Sequence, residues 1–220
     1  MSGVFITAMT RTPFGRFRGK LADIDVVNLG AALLNELMKR DPLRTLPDAV
    51  IGGAGLMGGV HLTALRQMLI GSDLPNRTVS LAVDRACCTG MTAISTAFAH
   101  LKTGGGDKAY IAGVESLSNT PLLISRGNER RIASMTLTDP LLLGGRVSPK
   151  TIAQYTSEEA LNVGITREMQ DDWAFASHQK YFVGKGLGLY DSLLFLPPES
   201  GLSDATDEGP RANSDRQKLA

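Results

Sequence analysis

The stretch Thr78–Leu101, TVSLAVDRACCTGMTAISTAFAHL, decides the fold of this chain. Its first part, residues 78–83, is apolar and rich in β-branched side chains, which predicts a buried strand. Its last part, Met91–Leu101, carries small or apolar side chains around most of its circumference, which predicts a buried helix. The sharp turn DRACCTG joins strand to helix, and it delivers Cys87 to the start of the helix.

The position of Cys87 allows two interpretations. Free cysteines are often buried, and two adjacent cysteines in an apolar region commonly serve packing. A side chain at a strand–turn–helix junction, however, lies where α/β proteins expose their nucleophiles. The amide groups and the dipole at a helix start favour a thiolate, and they also favour an oxyanion on a carbonyl attached to the sulfur. Position alone leaves both interpretations open.

The composition is that of an ordinary globular protein. The chain has 220 residues, of which 43% are hydrophobic and 20% charged, and its net charge is +1. Nothing in this balance indicates a nucleic-acid partner, and we find no apolar run of membrane-spanning length and no signal peptide. The two cysteines are adjacent, which disfavours a disulfide and favours a reducing compartment. We therefore expect a cytoplasmic protein, without a metal site because its sulfurs and imidazoles lack ligand spacing.

Strands and helices alternate over the first half of the chain. Strands are predicted at residues 4–8, 48–51, 78–83 and 109–114, with helices after Asp25, over 61–70 and over 91–101. This alternation predicts an α/β domain with a largely parallel sheet over residues 1–120. After Pro121 the alternation stops, so residues 121–220 are predicted to form a second, irregular domain whose clearest helix covers 166–182.

A glycine cluster follows the second predicted strand. Residues 53–58 read GAGLMG and match the G-x-G-x-x-G pattern of dinucleotide-binding proteins. That motif needs an acidic residue near the end of the next strand, about 20 residues on. The nearest acidic residues are Asp73, in a predicted turn, and Asp84, in the cysteine turn. The glycines are better explained by close passage of backbone against backbone, with a nucleotide-dependent reductase as a distant alternative.

Five motifs span almost the whole chain: RTPFG (11–15), ALRQ (64–67) with LP (74–75), VDRACCTGM (83–91), GVESLSNTP (113–121) and DEGPR (207–211). In this order and spacing they resemble the N-terminal half of a thiolase. The resemblance implies an α/β fold, a thiolase-like layered αβα core half, over residues 1–120. It further implies that residues 121–220 form a loop domain covering coenzyme A.

The resemblance also implies roles for individual residues. Cys87 would accept an acyl group from an acyl-CoA for Claisen condensation or for thiolysis of a 3-ketoacyl-CoA. Arg211 would lie against the CoA nucleotide, and Arg146 stands at the pantetheine pocket where thiolases often carry His-Met-Gly. Coenzyme A would act as a thioester substrate, with no permanently bound cofactor. The Gly-His-Pro and Cys-x-Gly-Gly motifs of the family are absent from this sequence, so we expect a truncated, catalytically incomplete thiolase.

The partners follow from the same resemblance. It implies a homodimer or higher oligomer, formed by edge pairing of strand 78–83, with an acyl-CoA as ligand and neither nucleic acid nor membrane as partner. Two alternatives are a non-catalytic thiolase-like fragment or subunit and a condensing enzyme that resembles the ketoacyl synthases. The motifs RTPFG and GVESLSNTP favour a thiolase over a ketoacyl synthase.

Overall fold

A computed structural model describes residues 3–56, 62–124, 137–142 and 149–219. The helices are α1 (Val26–Arg40), α2 (Ala64–Gly71), α3 (Thr89–Lys102), α4 (Ile152–Asn162), α5 (Arg167–Gly186) and α6 (Arg216–Leu219). The strands are β1 (Ala49–Gly53), β2 (Val79–Ala82), β3 (Ala109–Gly113), β4 (Leu123–Ile124) and β5 (Leu137–Thr138). Short 3₁₀ turns cover Ala86–Cys88, Leu117–Asn119 and Pro198–Ser200.

The chain divides into two compact units. The first contains Met1–Pro121 and Leu193–Thr206, and the second contains Leu122–Ser192 and Asp207–Ala220. The later segment joins the first unit because Arg11 exchanges backbone hydrogen bonds with it, at 2.9 Å and 3.0 Å. This differs from the contiguous second domain predicted over residues 121–220. The predicted role of that domain as a cover for coenzyme A stays a prediction.

A three-stranded parallel sheet organises the first unit. The strand order is β2-β1-β3, and every residue of the central strand β1 is buried. Val50 of β1 packs into the cluster formed by α1 and α2, whereas Ile51 packs against Ala93 and Ala97 of α3. Because successive side chains of a strand point to opposite faces, the sheet lies between two helical layers. The predicted α/β layered fold is thereby confirmed.

Local capping signals set the starts of α1 and α5 as predicted. The Asp25 carboxylate accepts a hydrogen bond of 2.8 Å from the Asn28 backbone and begins α1. The Thr166 hydroxyl begins α5 in the same way, accepting from Met169 at 3.2 Å. Helix α4 was not predicted, although Thr151 and Gln154 form a capping box at its start.

Among the described residues, no helix is long and apolar enough to cross a membrane.

Three predictions about burial and strand formation were wrong. Strand β2 is not buried: among the residues that the structure describes it pairs with β1 on one side only, and Val79 is 61% exposed. Helix α3 packs one side on the sheet and leaves an apolar side uncovered, with Phe98 51% exposed. The strand predicted at residues 4–8 does not form within the described chain, because this segment has no ladder partner and Phe5 is 80% exposed.

Candidate active site

Three loops leave the same edge of the parallel sheet. They follow the carboxyl ends of β1, β2 and β3, which is the edge where open α/β sheets bind their ligands. Backbone pairing continues one residue past β2 and β3: Val83 donates to the Gly52 carbonyl at 2.8 Å, and Val114 donates to the Gly53 carbonyl at 3.1 Å. The loops therefore start from fixed positions beside one another.

The loop after β2 is a constrained turn. Ala86 adopts a positive φ of 47°, a conformation that costs a non-glycine residue about 1–3 kcal/mol. Its amide donates to the Asp84 carboxylate at 3.1 Å. The Thr89 hydroxyl donates to the Ala86 carbonyl at 2.8 Å and accepts from the Arg85 amide at 3.0 Å. These bonds explain how the turn holds an unfavourable backbone conformation immediately before Cys87.

Both cysteines are exposed and neither forms a disulfide. Residues Ala86–Cys88 form a single 3₁₀ turn that runs directly into α3, whose N-cap is Cys88. The packing interpretation of the two cysteines is therefore wrong. Cys87 is solvent-exposed at the start of a helix, as the nucleophile interpretation requires. Its catalytic role stays a prediction.

The loop after β3 brings Glu115 to the same edge. Its Oε2 accepts a hydrogen bond of 3.1 Å from the backbone amide of Leu56, in the loop after β1. The next residue, Ser116, is buried, and its hydroxyl donates to the Ile24 carbonyl at 2.8 Å. Glu115 was not predicted as a site residue, although its position directly after a strand and inside the motif GVESLSNTP indicates the carboxyl edge of the sheet.

The predicted coenzyme A contacts belong to other parts of the chain. Arg211 is exposed in the second unit, and its backbone amide donates to Nδ1 of His178 at 3.3 Å. Arg146 lies outside the described residues, as do His61 and the third glycine of the cluster, Gly58.

The glycine cluster has a packing explanation. A Cβ added to Gly52 would overlap the backbone carbonyl of Ala112 on the neighbouring strand. Gly52 directly precedes the GAGLMG run, and at this position backbone does pass close to backbone, as predicted for the glycines that follow the second strand.

This chain is similar in sequence to proteins of a known family. The family model for the thiolase N-terminal domain matches residues 4–192. The chain belongs to the thiolase family. This thiolase chain is 30% identical over 234 residues to a probable acetyl-CoA acyltransferase of Staphylococcus aureus (strain COL), covering 100% of the chain and 58% of the relative. It is 28% identical over 236 residues to the beta-ketoadipyl-CoA thiolase of Acinetobacter baylyi, covering 100% of the chain and 59% of that relative.

A solved structure agrees with the fold of this thiolase chain. The crystal structure of the Bacillus anthracis acetyl-CoA acetyltransferase superimposes with a TM-score of 0.85 at 24% sequence identity. The match covers 97% of this chain and 56% of the solved one. The thiolase chain thus spans a little under three fifths of the length of these relatives.

Proposed function

We propose that this thiolase chain carries the acyl-accepting part of a thiolase-type acyltransferase, with Cys87 as the nucleophile. One observation carries the proposal: the Cys87 thiol is exposed where a constrained turn enters a helix, at the carboxyl edge of a parallel sheet. The names of the relatives, an acetyl-CoA acyltransferase and a beta-ketoadipyl-CoA thiolase, support the same chemistry.

The proposed step is a transfer of the acyl group between two sulfurs. The Cys87 thiolate attacks the carbonyl carbon of an acyl-CoA, and a new carbon–sulfur bond forms. The bond between the acyl carbon and the CoA sulfur then breaks, and CoA leaves as a thiol with the proton that Cys87 gave up. Backbone amides at the start of α3 would stabilise the oxyanion that develops on the carbonyl.

Coenzyme A would be held as a substrate rather than as a resident cofactor. We assign the nucleotide end to Arg211, because an exposed guanidinium suits phosphate groups. Arg146 would shape the pantetheine pocket, and the second unit would cover the bound coenzyme. These assignments follow the order of motifs within the thiolase family.

The exposed edge of the sheet supports a proposal about assembly. Strand β2 is an edge strand, and its side chains Val79 and Leu81 are 61% and 46% exposed. An edge with apolar side chains is a template for pairing with another chain. We propose that two copies pair through residues 78–83, giving a homodimer or a higher oligomer that acts in the cytoplasm.

The acyl step is testable on the protein as it stands. The chain is incubated with acetyl-CoA, quenched, digested and analysed by mass spectrometry for an acetyl group on each cysteine. We expect acetylation at Cys87, complete loss of it in Cys87→Ser, and retention in the matched control Cys88→Ser. Acetylation of both cysteines to the same extent, or of neither, would overturn the proposal.

A further inference from the structure

We infer that Glu115 is a positioning residue that fixes Gly55 and Leu56, which directly follow β1, beside the turn carrying Cys87. The inference rests on the proposed function, in which Cys87 is acylated. The direct contact is the hydrogen bond of 3.1 Å from the Leu56 amide to Oε2 of Glu115, which joins residues 59 positions apart in sequence. Glu115 is exposed, so its carboxylate keeps contact with water while it accepts this bond.

Gly55 leaves the space that the carboxylate needs. A Cβ built on Gly55 would lie 2.7 Å from Oε2 of Glu115 and 3.8 Å from the carbonyl carbon and oxygen of Ala86. Gly55 therefore separates the carboxylate from the residue that precedes Cys87. This gives the second glycine of the G-x-G sequence a role that requires no nucleotide: it lets three loops converge at one edge of the sheet.

The backbone that carries Glu115 is firmly held. The buried Ser116 hydroxyl donates to the Ile24 carbonyl at 2.8 Å. The side-chain amide of Asn119 donates to the Ser116 hydroxyl at 3.0 Å and to the Ala22 carbonyl at 2.7 Å. Because these bonds anchor the loop after β3 to the segment before α1, Glu115 is the fixed member of its pair with Leu56. It therefore determines where Gly55 and Leu56 lie relative to the Cys87 turn.

The consequence for acyl transfer is geometric. A thioester must approach Cys87 past the loops that surround the turn, and a misplacement of about 1 Å in a catalytic site costs up to about 100-fold in rate. Loss of one exposed loop contact should cost less than this. We expect a roughly tenfold slower acetylation of Cys87 when Glu115 can no longer accept the bond.

The test compares Glu115→Ala with Glu115→Gln, whose side-chain amide oxygen can still accept from Leu56. Rates of Cys87 acetylation by acetyl-CoA are measured, with alkylation of Cys88 by iodoacetamide as an internal control. We expect the alanine variant to be about tenfold slower at Cys87 and unchanged at Cys88, and the glutamine variant to stay close to wild type. An alanine variant as fast as wild type, or a glutamine variant as slow as the alanine one, would overturn the inference.

A second variant approaches the same contact from the other side. In Gly55→Ala the new methyl group displaces the carboxylate, so acetylation should slow as in Glu115→Ala, and the double variant should be no slower than either single one. If the double variant is slowed by the product of the two single-variant factors, the two substitutions act independently and the inference is contradicted.

Amide hydrogen exchange at Leu56 separates a failure of the inference from a failure of the proposed function. If wild-type Cys87 is not acetylated, the proposed function fails but the exchange rate still reports on Glu115. Faster exchange in Glu115→Ala, with normal exchange in Glu115→Gln, would support the positioning role. Unchanged exchange in the alanine variant would overturn it.

Discussion

The hydroxyl of Tyr110 donates a hydrogen bond of 2.9 Å to the carboxylate of Asp41, a residue that is 2% exposed. The same carboxylate oxygen accepts from the Lys108 ammonium, which also donates to the Thr45 carbonyl. These contacts join the end of α1 to the start of β3, at the sheet edge opposite to the Cys87 turn. The cluster therefore stabilises the first unit and takes no part in the proposed chemistry.

Replacing Tyr110 with phenylalanine should destabilise the chain at neutral pH. The change removes a hydrogen bond to a buried charged acceptor, a contact that contributes about 1.5–3 kcal/mol. We expect a loss of this size in the free energy of unfolding, measured by urea denaturation at pH 7. The control is Tyr155→Phe, because Tyr155 is 51% exposed and its replacement should change little.

The loss of unfolding free energy caused by Tyr110→Phe should be smaller at alkaline pH than at pH 7. Burial raises the pKa of Tyr110 above its ordinary value of 10.0, so the folded protein keeps a proton that the unfolded chain releases. The contribution of Tyr110 to the stability of the wild type therefore falls as the pH rises through and above 10, and the phenylalanine variant lacks this contribution. Burial lowers the pKa of Lys108, which gives a pH dependence of the opposite sign that is present in both proteins. If the difference in free energy of unfolding between the wild type and Tyr110→Phe grows from pH 9 to pH 11, the prediction is contradicted.

Replacing Asp41 with asparagine should cost more than replacing Tyr110. It leaves the Lys108 ammonium, whose side chain is 11% exposed, without its carboxylate partner. Breaking one side of a buried ion pair typically costs about 3–5 kcal/mol, and we expect a loss in that range by urea denaturation. The surface pair of Lys20 and Asp204 provides the control, since Asp204 is 61% exposed and Asp204→Asn should cost less than about 1 kcal/mol.

A methyl group on Gly52 should disrupt the centre of the sheet. The new Cβ would overlap the Ala112 carbonyl, which is backbone and cannot rotate away, so β1 and β3 must separate locally. We expect Gly52→Ala to lower the free energy of unfolding by more than about 2 kcal/mol. Gly90→Ala is the matched control, because a Cβ there meets nothing within 4 Å and alanine is the better helix former by about 1 kcal/mol. Equal stability of the two variants would contradict this account.

The structural features predicted correctly from the sequence are those that depend on residues close together along the chain. The start of α1 at Asp25 follows from capping, and the parallel sheet follows from the alternation of strands and helices. Exposure was harder to predict, because whether Val79 or Phe98 is covered depends on which elements pack beside it. The contact between Glu115 and Leu56 could not be predicted from the sequence for the same reason, since it joins two loops that meet only after the sheet has formed.

The two adjacent cysteines allow the reactivity of the turn to be measured within one molecule. Both are exposed, so a difference in their alkylation rates reports chemical reactivity rather than burial. We expect Cys87 to react with iodoacetamide about tenfold faster than Cys88 at neutral pH, because the proposed function makes Cys87 the nucleophile whereas Cys88 is the N-cap residue of α3. Time courses of peptide alkylation give both rates, and Cys88→Ser should leave the fast reaction in place while Cys87→Ser removes it. Equal and slow labelling of the two residues would mean that this turn does not activate Cys87, and the acyl-transfer proposal would lose its chemical basis.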